Sequence, residues 1–180
     1  MINTKLADIT INTEYVFTNI PRKNVILQIL LRNTLFMASP LGKYLIQFYS
    51  PNLCNFSYIP GFIMLYGNIA GKNVGLCDVF CVDYAPIILG NNVGFSFRNL
   101  LLTSSHDEVN FSIVKARPII IKDNVWITSN CTILGGVEIG ENSIIAAGSV
   151  VTKSIPPNVI AGGNPCKPLR SRKLGVEISS

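Results

Sequence analysis

The chain of 180 residues is short of histidine: His106 is the only one. A single imidazole excludes any metal site built from several histidines and leaves one group suited to proton transfer near neutral pH. Charge is scarce too, at 14% of residues, with 10 acids against 15 lysines and arginines. No apolar run approaches the ~18 residues that would span a bilayer. A signal peptide is not expected, because Asp8 and Glu14 interrupt the first residues and no apolar core follows Lys5. The five cysteines are an odd number, and Cys77 and Cys81 have no second pair or histidine beside them. Free thiols agree with a reducing compartment, so a cytoplasmic location is expected.

Apolar residues are plentiful, at 48%, and they follow a short period. Residues 121–156 read as six phrases: IKDNVW, ITSNCT, ILGGVE, IGENSI, IAAGSV and VTKSIP. An aliphatic residue opens each one (Ile121, Ile127, Ile133, Ile139, Ile145, Val151). The fifth place holds Val125, Cys131, Val137, Ser143, Ser149 and Ile155, small or β-branched residues. A period of six fits neither a helix nor an isolated strand. It fits short straight segments joined by bends, three of which would close a triangular coil of about eighteen residues. The aliphatic row would then point inward and stack from coil to coil.

Earlier hexads begin at Ile69 (IAGKNV), are irregular through Asp83, and regain phase from Leu89 as LGNNVG, FSFRNL and LLTSSH, with Phe95 and Phe97 bulky for the pattern. Between His106 and Pro118 the repeat gives way to DEVNFSIVKAR, a polar insertion expected to form a surface loop over 106–118. Upstream, alternation in Met1 to Thr18 permits an edge strand through Ile9, Ile11, Tyr15 and Phe17. Asn24 to Met37 predicts a helix with Val25, Ile26, Ile29 and Leu30 on one face, and 41–49 a second short one. Such a segment would cap the open end of a solenoid, with a membrane-surface anchor as its alternative. The expected organisation is one domain: strand and helical cap over 1–60, solenoid over 61–160, and a tail over 161–180. The last thirty residues are basic, with Lys153, Lys167, Arg170, Arg172 and Lys173 against one acid, Glu177. This suits a polyphosphate ligand as well as nucleic acid or membrane.

With the hexads, the DNVWI run (Asp123 to Ile127), GSVVTKSIPPN (Gly148 to Asn158), AGGNPCKPLR (Ala161 to Arg170) and the lone Ser105, His106, Asp107 triplet, the chain resembles the hexapeptide-repeat acyltransferases. The nearest branch is that of sugar and polysaccharide O-acetyltransferases related to the maltose and galactoside acetyltransferases. The resemblance covers about the last hundred residues. It implies an all-β solenoid, a left-handed parallel β-helix, assembled as a homotrimer with acetyl-CoA as donor and a saccharide as acceptor. No metal and no nucleic-acid partner are implied.

Within that resemblance His106 becomes the catalytic base, since family members place their histidine at the start of this loop. A neutral imidazole can take the proton of a sugar hydroxyl as its oxygen attacks a thioester carbonyl. The second ring nitrogen needs an orienting partner. Asp83, or Tyr84 if the alignment shifts by one, is the upstream candidate, and Asp107 is either solvated or bonded to the sugar. Acetyl-CoA contacts carry over to Ser129, Ala147, Thr152, Lys153, Lys167 and Arg170. Trp126 is counted with them, packing against a neighbouring subunit being its other role. The strip Ala146, Ala147, Gly148 and Ser149 is small enough for a pantetheine arm to lie against the backbone. Lys167 and Arg170 are suited to the ribose phosphate of coenzyme A.

Alternatives are N-acetylation of an amino sugar or antibiotic, a zinc carbonic anhydrase of the same fold, and a non-catalytic interaction module. The zinc enzyme needs three histidines per site, which one histidine cannot provide.

Overall fold

Each hexad forms a short strand followed by a bend, and the strands stack into parallel ladders. The structure, a computed structural model, describes residues 15–17, 41, 69–82 and 84–173. Strand β1 (Tyr15–Phe17) stands apart from the coils. The first ladder holds β2 (Ile69–Ala70), β5 (Ile87–Leu89), β10 (Ile119–Ile121) and β13 (Glu138–Ile139). The second holds β3 (Gly75–Leu76), β6 (Gly94–Phe95), β11 (Trp126–Ile127), β14 (Ile144–Ile145) and β16 (Val159–Gly162). The third holds β4 (Val79–Val82), β7 (Asn99–Leu102), β12 (Thr132–Leu134) and β15 (Val150–Val151). A chain that visits the three ladders in turn and returns to the first is a parallel β-helix.

The register measures the coils. Trp126 pairs with Ile144 and Thr132 with Val150, each 18 residues on, so one turn is three hexads. The preceding turn is longer: Gly94 to Trp126 and Leu100 to Thr132 are 32 residues apart. The extra 14 residues leave the third ladder after β7 and return in phase at β10. They are more than a loop, however. Strand β8 (Ser104–His106) and β9 (Val114–Ala116) form an antiparallel hairpin, and β1 pairs with β9. The expected N-terminal edge strand therefore exists at 15–17, joined to this hairpin. The expected helices at 24–37 and 41–49 lie outside the described residues, Leu41 apart.

All six opening residues of the hexads, Ile121 through Val151, are completely buried, and the fifth-place row is buried beside them. Stacking identical rows makes each coil the lid of the one before, so the core is continuous along the axis. Phe95 joins this core between Leu76 and Ile127, whereas Phe97 lies exposed at a bend.

Two register expectations are corrected. Ala70, not Ile69, pairs with Leu89, so the first coil's hexad is AGKNVG. Ile155 bridges Ile139, so it occupies an opening position, and the hexad that starts at Val151 is two residues short.

Between the first and second ladders, the fourth hexad place is asparagine in coil after coil. Asn73, Asn92, Asn124, Asn142 and Asn158 all have φ between 55° and 60°. Asparagine takes this left-handed turn more readily than other residues with a side chain. Each amide donates to the next: Asn73 to Asn92, Asn92 to Asn124, Asn124 to Asn142, Asn142 to Asn158, at 3.0–3.1 Å. Among the described residues no helix is long and apolar enough to cross a membrane.

Candidate active site

His106 ends β8 at the base of the inserted hairpin, exposed to solvent. The hairpin leaves the edge between the third and first ladders, and its attachment is tight. The buried Thr103 hydroxyl accepts the amides of Tyr84 (2.8 Å) and Ala85 (3.2 Å) from the preceding coil. On the following coil, a methyl on Gly135 would fall 2.6 Å from the Thr103 carbonyl oxygen, so only glycine passes beneath the hairpin there.

The Nδ1 of His106 lies 2.7 Å from the carbonyl oxygen of Phe111. A carbonyl only accepts, so Nδ1 carries a proton, and in the neutral ring Nε2 keeps its lone pair. The Phe111 ring stacks on the imidazole, centroids 3.8 Å apart and planes 13° from parallel. The open side faces a cleft of about 400 Å³ whose lining includes Thr103, Ser105, Lys115, Arg117, Leu134 and Gly135.

Asp107 has work inside the hairpin. One carboxylate oxygen accepts the amides of Val109 (2.9 Å) and Asn110 (2.8 Å), and the other meets Lys115 Nζ at 2.6 Å. The Lys115 ammonium, helped by the Asn110 and Val109 amides, holds this carboxyl down to about 2, below its ordinary 3.8. The partner on Nδ1 is thus a backbone carbonyl, while the Asp107 carboxylate is engaged within the hairpin itself. Tyr84 sits half-buried one coil before the hairpin, its amide on Thr103. Asp83 lies outside the described residues. Phe111 and Lys115 were not singled out in the sequence. The available signal was faint: the one aromatic residue of the insertion, and a lysine eight positions after an aspartate.

The coenzyme candidates are spread over the outside of the coils. Ser129 and Ala147 occupy bends between the second and third ladders, and the Gly148 amide donates to the Ser129 carbonyl (3.0 Å). Thr152 and Lys153 are exposed just after β15, on the edge from which the hairpin departs two coils earlier. Trp126 projects from β11 beside Gly94 of the coil before, its Nε1 donating to Ser96 Oγ at 3.2 Å.

Lys167 and Arg170 lie on β17 (Lys167–Ser171), which folds back antiparallel on β16. A register shift between Ile160 and Ala161 sets Arg170 opposite Ile160 and Lys167 opposite Gly162. Residues three apart in a regular strand face opposite sides; the bulge returns these two cations to one side-chain row. The Ala146 to Ser149 strip is shorter than expected. Ser149 is buried, its hydroxyl bonded to the Ala146 carbonyl and the Gly163 amide, while Ala147 and Gly148 are exposed.

Of the expected site residues that lie among the described ones, only His106 and Asp107 line the cleft. Cysteine nucleophiles are unfavoured at this site. Cys131 and Cys166 are buried, burial pushes both thiols up, and the Cys131 thiol points at the Ala146 carbonyl, 3.3 Å away. Among the described residues no group of three or more His, Cys, Asp or Glu side chains could hold a metal ion.

A parallel β-helix of stacked hexads, with one histidine hairpin leaving its edge, defines a hexapeptide-repeat protein. Residues 118–153 of this chain match the family model described as bacterial transferase hexapeptide (six repeats). The galactoside O-acetyltransferase of Escherichia coli K12 is 44% identical over 94 residues, 49% of this chain and 46% of that protein. The chain spans about half the length of the curated relatives it matches. A maltose O-acetyltransferase from Clostridium difficile 630 superposes with a TM-score of 0.63 at 27% identity, over 85% of this chain and 86% of that one. A hexapeptide-repeat acetyltransferase from Vibrio cholerae, complexed with acetyl coenzyme A, gives a TM-score of 0.64 at 25% identity, over 85% and 87%. These bear out the resemblance to the sugar O-acetyltransferase branch of the hexapeptide-repeat acyltransferases.

Proposed function

We propose that this chain is an O-acetyltransferase that moves the acetyl group of acetyl-CoA to a saccharide hydroxyl, such as one on a capsule or lipopolysaccharide glycan. The observation that carries the reading is the Phe111 carbonyl on His106 Nδ1, which leaves the Nε2 lone pair available as a general base. The names of the E. coli and C. difficile relatives support a sugar acceptor, and the V. cholerae complex supports the donor.

In the proposed step, Nε2 takes the acceptor's proton while the hydroxyl oxygen bonds to the thioester carbonyl carbon. The tetrahedral intermediate then collapses, the carbon–sulfur bond breaks, and the imidazolium returns the proton to the leaving thiolate. The products are the acetyl ester and coenzyme A. A backbone amide at the bend holding Ala147 and Gly148 would stabilise the oxyanion, and Lys167 and Arg170 would hold the phosphates.

The coenzyme residues and the His106 cleft are separate within one chain. This supports a homotrimer of left-handed β-helices in which the donor bound along one chain meets the histidine of its neighbour. Four free cysteines among the described residues support a reducing, cytoplasmic setting.

The test is His106→Ala, assayed by thiol release with acetyl-CoA and a panel of sugars. Transfer should fall by roughly 10²- to 10⁴-fold, with acetyl-CoA affinity and assembly mass unchanged. Turnover retained by the variant rejects His106 as the base.

A further inference from the structure

We infer that Asp107 is a positioning residue for His106, acting at one remove: its clasp on the hairpin tip puts the Phe111 carbonyl on Nδ1 and so selects the ring tautomer. The inference rests on the general-base reading for its catalytic consequence, though the tautomer itself can be measured without it.

The tip is held at both ends by Asp107. Its carboxylate caps the turn through the Val109 and Asn110 amides, its own amide donates to the Ile113 carbonyl (2.9 Å), and the Ile113 amide donates to the Asn110 carbonyl (2.9 Å). Asn110 in turn accepts the Ser112 amide (3.1 Å) and hydroxyl (2.6 Å) on its side-chain oxygen. Phe111 is therefore fixed from the residues on both sides. The ion pair with Lys115 on β9 ties this turn to the strand opposite β8, so the carbonyl cannot swing away without breaking a charge-assisted bond. The arrangement matters because an imidazole free in water prefers its proton on Nε2, the tautomer that would leave no lone pair facing the acceptor. The hairpin reverses that preference. Phe111 is 75% exposed, so its backbone is anchored chiefly by these polar contacts and little by core packing.

His106 is the only histidine, which makes its ring nitrogens unambiguous in ¹⁵N NMR of the intact protein. With the imidazole neutral, the wild type should show the Nδ1–H form. Asp107→Ala should shift the ring toward the Nε2–H form and lower kcat roughly ten- to hundredfold, with the KM for acetyl-CoA unchanged. Asp107→Asn keeps an oxygen to cap Val109 and Asn110 and should retain most of the tautomer bias; Lys115→Met should lose part of it. A ring that stays Nδ1–H in Asp107→Ala, or a wild type that is already Nε2–H, overturns the inference. If the tautomer shifts as expected but His106→Ala keeps its turnover, the positioning stands and it is the proposed function that falls.

Discussion

The side-chain amide of Asn124 donates to the side-chain oxygen of Asn142 across 3.1 Å, and both residues sit at nearly the same positive φ, 58° and 57°. One residue type thus makes the bend and joins it to the next coil. Replacing Asn124 by alanine removes the bonds to Asn92 and Asn142 and keeps a Cβ where the backbone disfavours it. A loss of about 1–3 kcal/mol is expected. Asn124→Gly, which accepts the φ without strain, should lose less. Thermal unfolding of the two variants measures the order; equal losses would mean that backbone conformation contributes nothing at this corner.

Gly140 passes directly over the next turn. A methyl there would lie 2.4 Å from the Pro157 nitrogen and 2.7 Å from its Cα, backbone atoms that cannot move aside. Gly140→Ala is expected to cost at least about 1–3 kcal/mol. Gly75, with nothing within 4 Å of its added Cβ, is the control, and Gly75→Ala should stay within about 0.5 kcal/mol of the parent. The comparison is read from Tm.

Asp107 gives the hairpin a defined acid limit. Its folded-state carboxyl titrates at about 2 against an ordinary 3.8, so the clasp's contribution is complete above 3.8 and is lost as pH falls through about 2. A carboxyl-carbon NMR titration should place the Asp107 midpoint near 2 in the parent, moving up toward 3.8 in Lys115→Met. A midpoint indifferent to Lys115 would mean the ion pair does not form in solution.

Removing charge at Lys167 and Arg170 tests the donor site. Their common side-chain row on the bulged β17 suits one phosphate group. Lys167→Met with Arg170→Met should raise the KM for acetyl-CoA more than for its dephospho analogue. Equal effects on the two donors would assign the pair to something other than the ribose phosphate.

Much of this architecture was written in the period of the chain. The buried row from Ile121 to Val151, the small fifth residues and the interruption after His106 are local patterns, since each hexad makes one strand and one bend wherever it stands. Asparagine in fourth place was equally visible at Asn92, Asn124, Asn130 and Asn142, but its meaning requires knowing that successive coils align it. What the pattern misjudged were places where hexads lose or gain residues. Ile69 and Ile155 were assigned by counting, and only pairing between coils shows that Ala70 and Ile155 hold the opening positions.

The sequence by itself determined the repeat, the inward rows and the single imidazole at the edge of a coil, because those depend on residue identity and spacing alone. The tertiary structure decided which group meets Nδ1, that Asp107 acts on the hairpin and not on the ring, and that a bulge puts Lys167 and Arg170 in one row. Each of these depends on a contact made by backbone atoms or across strands. A carbonyl oxygen is the same in every residue, so no spelling of the chain could mark the one at Phe111.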